Sequence, residues 1–315
     1  MKKILFTLGM LAAFGGALEA QQEHHYTQFV YNKLPINPAY AGVRGVPSVT
    51  LIYRNQWLGF DGAPKSMLAS VNMPFLTPRV GLGITLSSNQ IGLQRDYAAS
   101  MAYSYDVIGE ENVSLRVGIM GSIRNLGMDF TKAEVINLGD PSFDSKRIND
   151  FYANVGAGIY ATFSQRIYVG FSVPRIYSNN IGINDLPDII TSAKEYRHFY
   201  GMAGAILPLS EDINLMPAVL LKYVQNAPFD ADINLNLDIK EKVTAGISGR
   251  IGGDGGMESV SLLAFWQFSP QVGVGAAYDF TLSRLRDYNA GSFEVLLQAD
   301  LKSKKKNLSN PRFFM

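Results

Sequence analysis

The 315-residue sequence contains no cysteine. This absence excludes structural disulfides, thiolate metal sites and a lipid-modified N-terminal cysteine. Charged residues are also scarce, at 17% of the chain compared with about 25% in a typical soluble domain. Only three histidines are present. Two of them, His24 and His25, are adjacent, so their side chains diverge in an extended segment. We therefore expect no metal site and no cofactor.

Long hydrophobic runs are absent beyond the first twenty residues. Residues 1–20 contain two lysines, then an apolar run, then small residues that suit cleavage after Ala20 or alternatively after Ala17. This order is typical of a secretory signal peptide. From Gln21 onward no stretch of about 18 uninterrupted apolar residues occurs, so no membrane-spanning helix is expected. The sequence therefore predicts an exported protein.

Period-two alternation of polar and apolar residues recurs along the chain. In "DADINLNLDIK" (230–240), Asp and Asn alternate with Ala, Ile and Leu, as expected of a strand with one wet and one apolar face. Reading the rest in this way predicts fourteen strands, at 46–57, 64–73, 79–88, 94–107, 112–125, 149–161, 165–173, 195–207, 212–225, 228–240, 242–252, 257–268, 270–280 and 291–301.

Strand length distinguishes a soluble β-sandwich from a transmembrane β-barrel, because the strands of both show this alternation. Strands of a soluble sandwich average about 5–6 residues, whereas a tilted membrane strand needs about 9–11, and most of the predicted strands reach ten or more. Because only a closed sheet leaves no unpaired edge in lipid, we predict an all-β fold. Its architecture is a transmembrane antiparallel β-barrel of about 14 strands, over residues 46–301, in the outer membrane and in contact with its lipid.

The predicted connections differ in length at the two ends of the barrel. The longest, 126–148 and 174–194, follow odd-numbered strands, as does 281–290, whereas the turns after even-numbered strands are short. Long loops at one end and short turns at the other are typical of outer-membrane barrels with a periplasmic N-terminus.

The N-terminal segment 21–45 is predicted to plug the lumen. A fourteen-stranded barrel is too wide for its own side chains to fill, and "INPAYAG" (36–42) is a compact, strand-breaking stretch in which Asn37, Pro38 and Tyr40 are the candidate contacts. Small residues on the predicted inner face indicate a close approach by another backbone; these are Gly81, Gly83, Gly156, Gly158, Gly170, Ser172, Gly273 and Gly275. The alternative is a segment that stays outside the barrel.

The stretch "YRNQWLGFDGAP" (53–64) follows the first predicted strand. Arg54 and Gln56 lie on its polar face and are predicted to contact the plug, while Trp57 is predicted to anchor in an aromatic belt at the membrane surface. Ordinary strand-end chemistry is the alternative.

The C-terminal tail 302–315 is strongly basic and ends in two aromatic residues. It has five positive charges and no acid, and such a stretch is attracted to an acidic surface, while paired aromatics anchor well in a pocket. We predict that it docks onto a periplasmic partner through Lys304, Lys305, Arg312, Phe313 and Phe314. The alternative is that the lysines sit near anionic lipid and the phenylalanines assist insertion. The rest of the mature chain is slightly acidic, which speaks against nucleic acid as a partner.

Several stretches together resemble the PorP/SprF family of outer-membrane proteins of the type IX secretion and gliding machinery. They include "LPINPAYAG" (34–42), "YRNQWLGFDGAPKS" (53–66), "KYVQNAPFDADINLN" (222–236) and "PRFF" (311–314). The resemblance implies a barrel that supports the secretion apparatus or the delivery of surface adhesins. Its implied partners are periplasmic and outer-membrane components of that machinery and a secreted adhesin. It implies no catalytic residue.

Other functions stay open at this point. An uptake barrel for apolar solutes is one, because long-chain fatty-acid transporters also combine fourteen strands with an N-terminal hatch that contains an Asn-Pro-Ala turn. A general porin is disfavoured by the small inner faces. We expect no enzyme, because His198 in "EYRHFYG" lies among aromatics and no sequence signature supplies it with a nucleophile.

Overall fold

The computed structural model describes residues 26–110, 112–132, 147–181, 193–225, 227–252 and 255–301. Fourteen strands form its barrel: β1 (Ser48–Asn55), β2 (Lys65–Phe75), β3 (Thr77–Ile91), β4 (Gln94–Asp106), β5 (Val113–Asp129), β6 (Arg147–Phe163), β7 (Ile167–Val173), β8 (His198–Ala205), β9 (Ile213–Val224), β10 (Asp230–Ile239), β11 (Val243–Ile251), β12 (Met257–Gln267), β13 (Val272–Thr281) and β14 (Ser292–Asp300).

Every strand pairs antiparallel with its neighbours in chain order, and the first strand closes onto the last. The closing ladder runs from Ser48 opposite Asp300 to Asn55 opposite Phe293, over the whole length of β1. The barrel therefore has no free edge strand at this seam. The predicted fold class, an all-β antiparallel barrel of fourteen strands, is confirmed.

Short elements complete the described chain. Four 3₁₀ turns occur, at Phe29–Tyr31, Pro38–Tyr40, Phe130–Lys132 and Arg284–Asp287, and two-residue strands lie at Asn180–Ile181, Ala193–Lys194 and Leu207–Pro208. Within the described ranges, no helix has both the length and the apolar character needed to cross a membrane.

The two faces of the wall follow the predicted alternation. On β10, Ile233, Leu235 and Leu237 point outward and are 42–50% exposed. The intervening Asn234 and Asn236 point inward and are buried. Outward apolar residues match the hydrocarbon core of the bilayer, and inward polar residues line the lumen. This facing confirms the assignment made from the sequence.

Exposed aromatic residues lie at both ends of the outward face. Tyr97, Phe151, Tyr223 and Phe280 lie toward the ends of the strands where odd-numbered strands finish, and Phe75, Tyr105, Phe163, Trp266 and Phe268 lie toward the opposite ends. Aromatic girdles of this kind mark the two interfaces of the membrane. We call the end of the barrel at which odd-numbered strands finish the loop end, and the opposite end the turn end.

The connections follow the predicted asymmetry with some changes of length. β5 and β6 are longer than predicted, because their ladder continues to Asp129 opposite Arg147. The connection after β3 has only Gly92 and Leu93, whereas the predicted pattern puts the longer connections after odd-numbered strands. The predicted signal peptide 1–20 and the predicted tail 302–315 lie outside the described residues.

The hydrophobic core lies inside the ring of strands. It combines residues of the stretch before β1 with inward-facing residues of the wall; the largest fully buried aromatic residues are Phe29, Tyr31, Tyr40, Tyr160, Tyr168 and Phe265. A barrel whose own side chains do not fill its centre thus gains part of its core from residues that precede the first strand.

Leu235 and Ile239 test whether the outward side chains of β10 contact lipid, because they lie at two depths in the membrane. Both are outward on β10 and similarly exposed, at 43% and 42%, but Leu235 is central and Ile239 is at the turn end. Leu235→Arg should lower the free energy of unfolding by about 2–4 kcal/mol and Ile239→Arg by about 0–1 kcal/mol. Reversible urea unfolding in lipid vesicles measures both, and equal losses would contradict the assignment.

Candidate functional site

Residues 26–45, which we call the N-terminal segment, are the candidate site. Their backbone is compact because Pro38 begins a 3₁₀ turn and the Asn37 side chain caps it, with Oδ1 accepting the Ala39 amide at 2.9 Å. Gly42 and Gly45 follow with φ angles of 73° and 68°, which glycine adopts without strain. The stretch that interrupts the strand pattern in the sequence is therefore a locally stabilised, non-extended element.

The segment is attached at both ends of the barrel. At the loop end, Thr27 contacts Asp279 near the end of β13. At the turn end, Arg44 Nη2 donates to both carboxylate oxygens of Asp300, at 2.8 and 3.0 Å. The segment thus extends from the loop end to the turn end before the chain enters β1. The chain therefore reaches the loop end before its first membrane strand begins.

An ion network fixes the start of the segment. Arg54 donates to Asp279 at 2.6 Å, to Glu294 at 3.2 Å and to Thr27 Oγ1 at 3.1 Å. The backbone amides of Thr27 and Gln28 donate to the two oxygens of Glu294 at 3.0 and 2.9 Å. All of these side chains are buried. One guanidinium is shared by two carboxylates, so Glu294 needs further hydrogen-bond donors, and the amides of Thr27 and Gln28 supply them.

Polar side chains of the wall pair with the irregular backbone along the rest of the segment. Ser172 donates to the Ile36 carbonyl at 2.8 Å, and Ser104 donates to the Ala41 carbonyl at 2.6 Å. The Asn37 amide in turn donates to the Ile159 carbonyl of β6 at 2.9 Å. Buried backbone groups outside a helix or sheet need partners of this kind, so the inner face of the wall is matched to this stretch.

Glycines of the wall make room for the segment backbone. A Cβ at Gly81 would overlap the Ala41 carbonyl, and a Cβ at Gly118 would overlap the Ala39 amide. At Gly83, Gly158, Gly170 and Gly275 an added Cβ would likewise collide with side chains of the segment. The predicted approach of a segment backbone is therefore observed at Gly81, and also at Gly118, which was not among the predicted positions. At the other four glycines the approaching atoms belong to segment side chains.

At two other glycines the close neighbour is not the N-terminal segment. A Cβ at Gly156 would meet the Pro174 backbone, and a Cβ at Gly273 would meet the Phe265 ring. Both neighbours belong to the barrel or its connections, because Pro174 directly follows β7 and the Phe265 ring of β12 lies over Gly273 of the adjacent β13. Period-two alternation identifies the inward face but not which element approaches it.

A buried lysine lies in the middle of the segment. Lys33 Nζ donates to the Val30 carbonyl at 2.7 Å and lies 5.2 and 4.7 Å from the ring centres of Tyr40 and Tyr168. The amino group of Lys33 is thus fully buried between one backbone carbonyl and two aromatic rings.

The other predicted contacts lie at different places. Tyr40 packs edge-on against Tyr160 of β6, with ring centres 5.6 Å apart. Gln56 lies in the connection after β1, and its backbone amide donates to Pro64; within the described residues it forms no hydrogen bond with the segment. It follows the end of β1 and so does not continue the inward face that Arg54 occupies.

Trp57 and the tail complete the predicted site. Trp57 lies in the outer connection, where its amide donates to Ser292 Oγ at 3.1 Å and its ring packs edge-on against Phe60. Its role as a belt anchor stays a prediction. The tail candidates Lys304, Lys305, Arg312, Phe313 and Phe314 lie outside the described residues.

Sequence reasoning missed Asp279 and Glu294, the two carboxylates that hold the start of the segment. Both lie on polar faces of predicted strands, so their inward direction was readable from the alternation. Their pairing with Arg54 depends on the closing seam, which sets Glu294 directly opposite Arg54. That register is not visible in either strand alone.

The described residues contain no group of three or more His, Asp or Glu side chains placed to hold a metal ion. The contacts of the N-terminal segment are hydrogen bonds, ion pairs and packing. The arrangement supports attachment of the segment to the inner wall. That the segment closes the lumen to solutes stays a prediction.

Comparisons with known proteins agree on a membrane barrel. A family model described as "Type IX secretion system membrane protein PorP/SprF" matches residues 18–298. The comparison with curated proteins gives no match.

Solved outer-membrane barrels resemble the chain in fold. The CymD monoaromatic hydrocarbon channel has 12% identity and a TM-score of 0.52, over 89% of this chain and 94% of that one. A Pseudomonas aeruginosa FadL homologue has 12% identity and a TM-score of 0.48, over 92% and 97%. Acinetobacter baumannii Omp33 has 7% identity and a TM-score of 0.48, over 81% and 99%. The likeness to CymD shows the fold alone.

Gly118 and Gly121 of β5 provide a matched test of the segment contact. Gly118→Ala places a Cβ against the backbone at Ala39, whereas Gly121 has nothing within 4 Å of an added Cβ. In this cysteine-free chain, Ala39→Cys should react slowly with a membrane-impermeant maleimide. Adding Gly118→Ala should accelerate the reaction at least tenfold, and adding Gly121→Ala should leave it unchanged. Equal rates in the two double variants would contradict the contact.

Proposed function

The chain belongs to the PorP/SprF family of type IX secretion system membrane proteins, and from this premise we propose that it is a non-enzymatic barrel that acts through protein contacts. It lies in the outer membrane, and its family associates it with the secretion machinery. In the proposed role, the N-terminal segment plugs the lumen, and the barrel supports either the secretion apparatus or the secretion and surface attachment of an adhesin. Gliding motility belongs to the same proposal.

The packing of the N-terminal segment is the observation that carries this proposal. Its backbone pairs with wall groups on β4, β7 and β14, and the Thr27 hydroxyl donates to Asp279 of β13. Its side chains supply much of the buried core. A diffusion pore needs an unoccupied, wetted lumen, and a segment held at both ends opposes that. The outer surfaces, connections and termini are then the parts free to bind partners.

Uptake of apolar solutes is the second candidate. The similar structure CymD is described as a monoaromatic hydrocarbon channel, but at 12% identity the likeness concerns the fold. The inner wall beside the segment carries Arg54, Asp279 and Glu294, all buried and charged. Such a wall is a poor path for a hydrocarbon, because an apolar solute cannot replace the hydrogen bonds it displaces. We therefore favour the secretion role.

The absence of catalysis is part of the proposal and rests on the environment of the best candidate base. His198 Nδ1 lies 3.0 Å from the Tyr196 carbonyl, and its ring stacks on Tyr200 with centres 6.2 Å apart. A packing role accounts for both contacts. The predicted docking of the basic tail onto a periplasmic partner also belongs to this proposal, with Lys304, Lys305, Arg312, Phe313 and Phe314 as its contacts.

Ion conductance tests the closed lumen. The full-length protein in planar bilayers should show no steady conductance, and deletion of residues 24–42 should produce steady channels because it removes the packed segment. Gly118→Ala serves as a milder second variant, with Gly121→Ala as its control. Steady conductance of the full-length protein, or silence of a deletion variant that is still heat-modifiable, would count against the plug.

Affinity isolation from intact envelopes tests the partner role. The full-length chain should co-purify with periplasmic and outer-membrane components identified by mass spectrometry, and truncation after Leu301 should lose the periplasmic ones while keeping a heat-modifiable barrel. A further variant replaces Lys304, Lys305 and Arg312 by Gln and keeps the two phenylalanines. It shows whether partner binding depends on the positive charges of the tail or on its aromatic residues. If the truncated barrel keeps every partner, or does not insert, the docking role is wrong.

A further inference from the structure

The outer surface of the barrel wall has a wide groove in the loop-end half of β1 to β5. Its volume is about 840 Å³, its surface is almost entirely apolar, and β6 and β14 contribute to its sides. Most of its lining residues occupy outward positions of the strands, among them Met67, Tyr97 and Phe151, which are exposed. Because the outward face contacts the bilayer, the groove opens to lipid and not to the lumen.

Short side chains form the floor of the groove. Ala69 and Ala99 lie on either side of Leu86 in one cross-strand row, and Ser88 lies next to Met67 in the row nearer the loop end. The longer side chains around these residues stand higher above the sheet. The wall is therefore concave on its outside at this place.

Two basic side chains lie at the loop-end rim of the groove. Lys65 and Arg95 are exposed at outward positions of β2 and β4, each two residues from an outward side chain that lines the groove. Both pair across the ladder with Gln90 of β3, which lies between them. Neighbouring strands are about 4.8 Å apart, so the Cα atoms of Lys65 and Arg95 are about 10 Å apart. Their long side chains and the Gln90 amide can reach the headgroup of one ligand.

These two cations have no counter-charge. The inward-facing Arg54 and Arg124 each pair with a carboxylate, whereas neither Lys65 nor Arg95 forms an ion pair within the described residues. Asp61, in the connection before β2, is exposed and pairs with neither. No acidic residue holds an outward position in the loop-end halves of β1 to β4. Two unpaired positive charges at a membrane surface attract an anionic headgroup.

The depth of the two cations matches the headgroup layer. The girdle residue Tyr97 lies two positions from Arg95 on the same face of β4 and marks the interface of the membrane. Lys65 and Arg95 lie beyond it toward the loop end, and the apolar groove lies on its other side. A basic side chain at this level keeps its charge in the headgroup layer while its stem covers apolar surface.

We propose that this surface binds the phosphorylated glycolipid of the outer leaflet, the lipid A part of lipopolysaccharide. Lys65 and Arg95 hold its phosphate groups, and its acyl chains lie in the groove. Long connections of outer-membrane barrels are extracellular, so the loop end faces the outer leaflet. A cavity of about 150 Å³ holds one benzene, and the groove is several times larger, which suits acyl chains. The site is the same whichever partner the barrel serves.

Native mass spectrometry of the full-length barrel in detergent tests the proposal by lipid titration. The probes are lipid A, phosphatidylglycerol, phosphatidylcholine and inorganic phosphate. We expect saturable binding of lipid A and at least tenfold weaker binding of phosphatidylcholine, because its choline group cancels the charge of its phosphate. Inorganic phosphate should not compete with lipid A, because it gains nothing from the apolar groove.

Charge variants assign the headgroup to the rim. Lys65→Gln with Arg95→Gln should lower lipid A affinity at least tenfold. Arg284→Gln with Arg286→Gln is the matched control, because it removes the same charge from exposed residues of the connection between β13 and β14. The control should bind lipid A as the unmodified chain does.

Groove variants assign the acyl chains to the floor. Ala69→Leu with Ala99→Leu fills the groove with apolar atoms that lipid tolerates, so the barrel should insert while lipid A affinity falls at least tenfold. Ala245→Leu with Ala264→Leu is the control. These two outward alanines pair across the β11–β12 ladder, away from the groove, and their replacement should leave the affinity unchanged.

Several results would overturn the proposal. One is the absence of saturable lipid A binding, and another is phosphatidylcholine or inorganic phosphate binding as tightly as lipid A. Tighter binding of phosphatidylglycerol than of lipid A would show that the site does not select the glycolipid. Unchanged lipid A affinity in either double variant of the site, with the barrel still heat-modifiable, would also contradict it.

Discussion

Pairing of backbone groups in lipid is the constraint on which this structure depends. A membrane strand cannot leave its amides and carbonyls unpaired, so the sheet must close, and here β1 closes on β14 over its full length. Closure of fourteen strands creates a lumen wider than the strand side chains can fill. The wall therefore carries polar groups inward, and those groups need partners. The core of this protein follows from that need.

The N-terminal segment meets this need because its sequence is unsuited to a strand. Small residues and Pro38 give an irregular backbone whose amides and carbonyls point outward, where wall side chains such as Ser104 and Ser172 pair with them. The dependence is mutual. Glu294 is a buried carboxylate that shares Arg54 with Asp279. Without the amides of Thr27 and Gln28, the shared guanidinium would be its only charge-assisted partner.

In the proposed function, the packing of the N-terminal segment inside the barrel is what connects the fold with a role in secretion. Porins and uptake channels use the inside of the barrel, whereas a barrel with a packed interior offers its connections and ends.

Alternation along single strands was enough to predict the number of strands, the facing of β10 and the inward position of Arg54, because the side-chain period of a strand is a local property. The same pattern, with the small inner-face residues, predicted the close backbone approach at Gly81. It did not predict the contact of Gly118 with the segment, and it did not identify which elements lie against Gly156 and Gly273. It also did not identify the two carboxylates that pair with Arg54. These contacts depend on how fourteen strands are staggered when the sheet closes and on the path of the segment through the lumen. The sequence by itself determined the wall and its two faces; the partner of each inward side chain was decided only by the tertiary structure, because closure brings together residues more than two hundred positions apart.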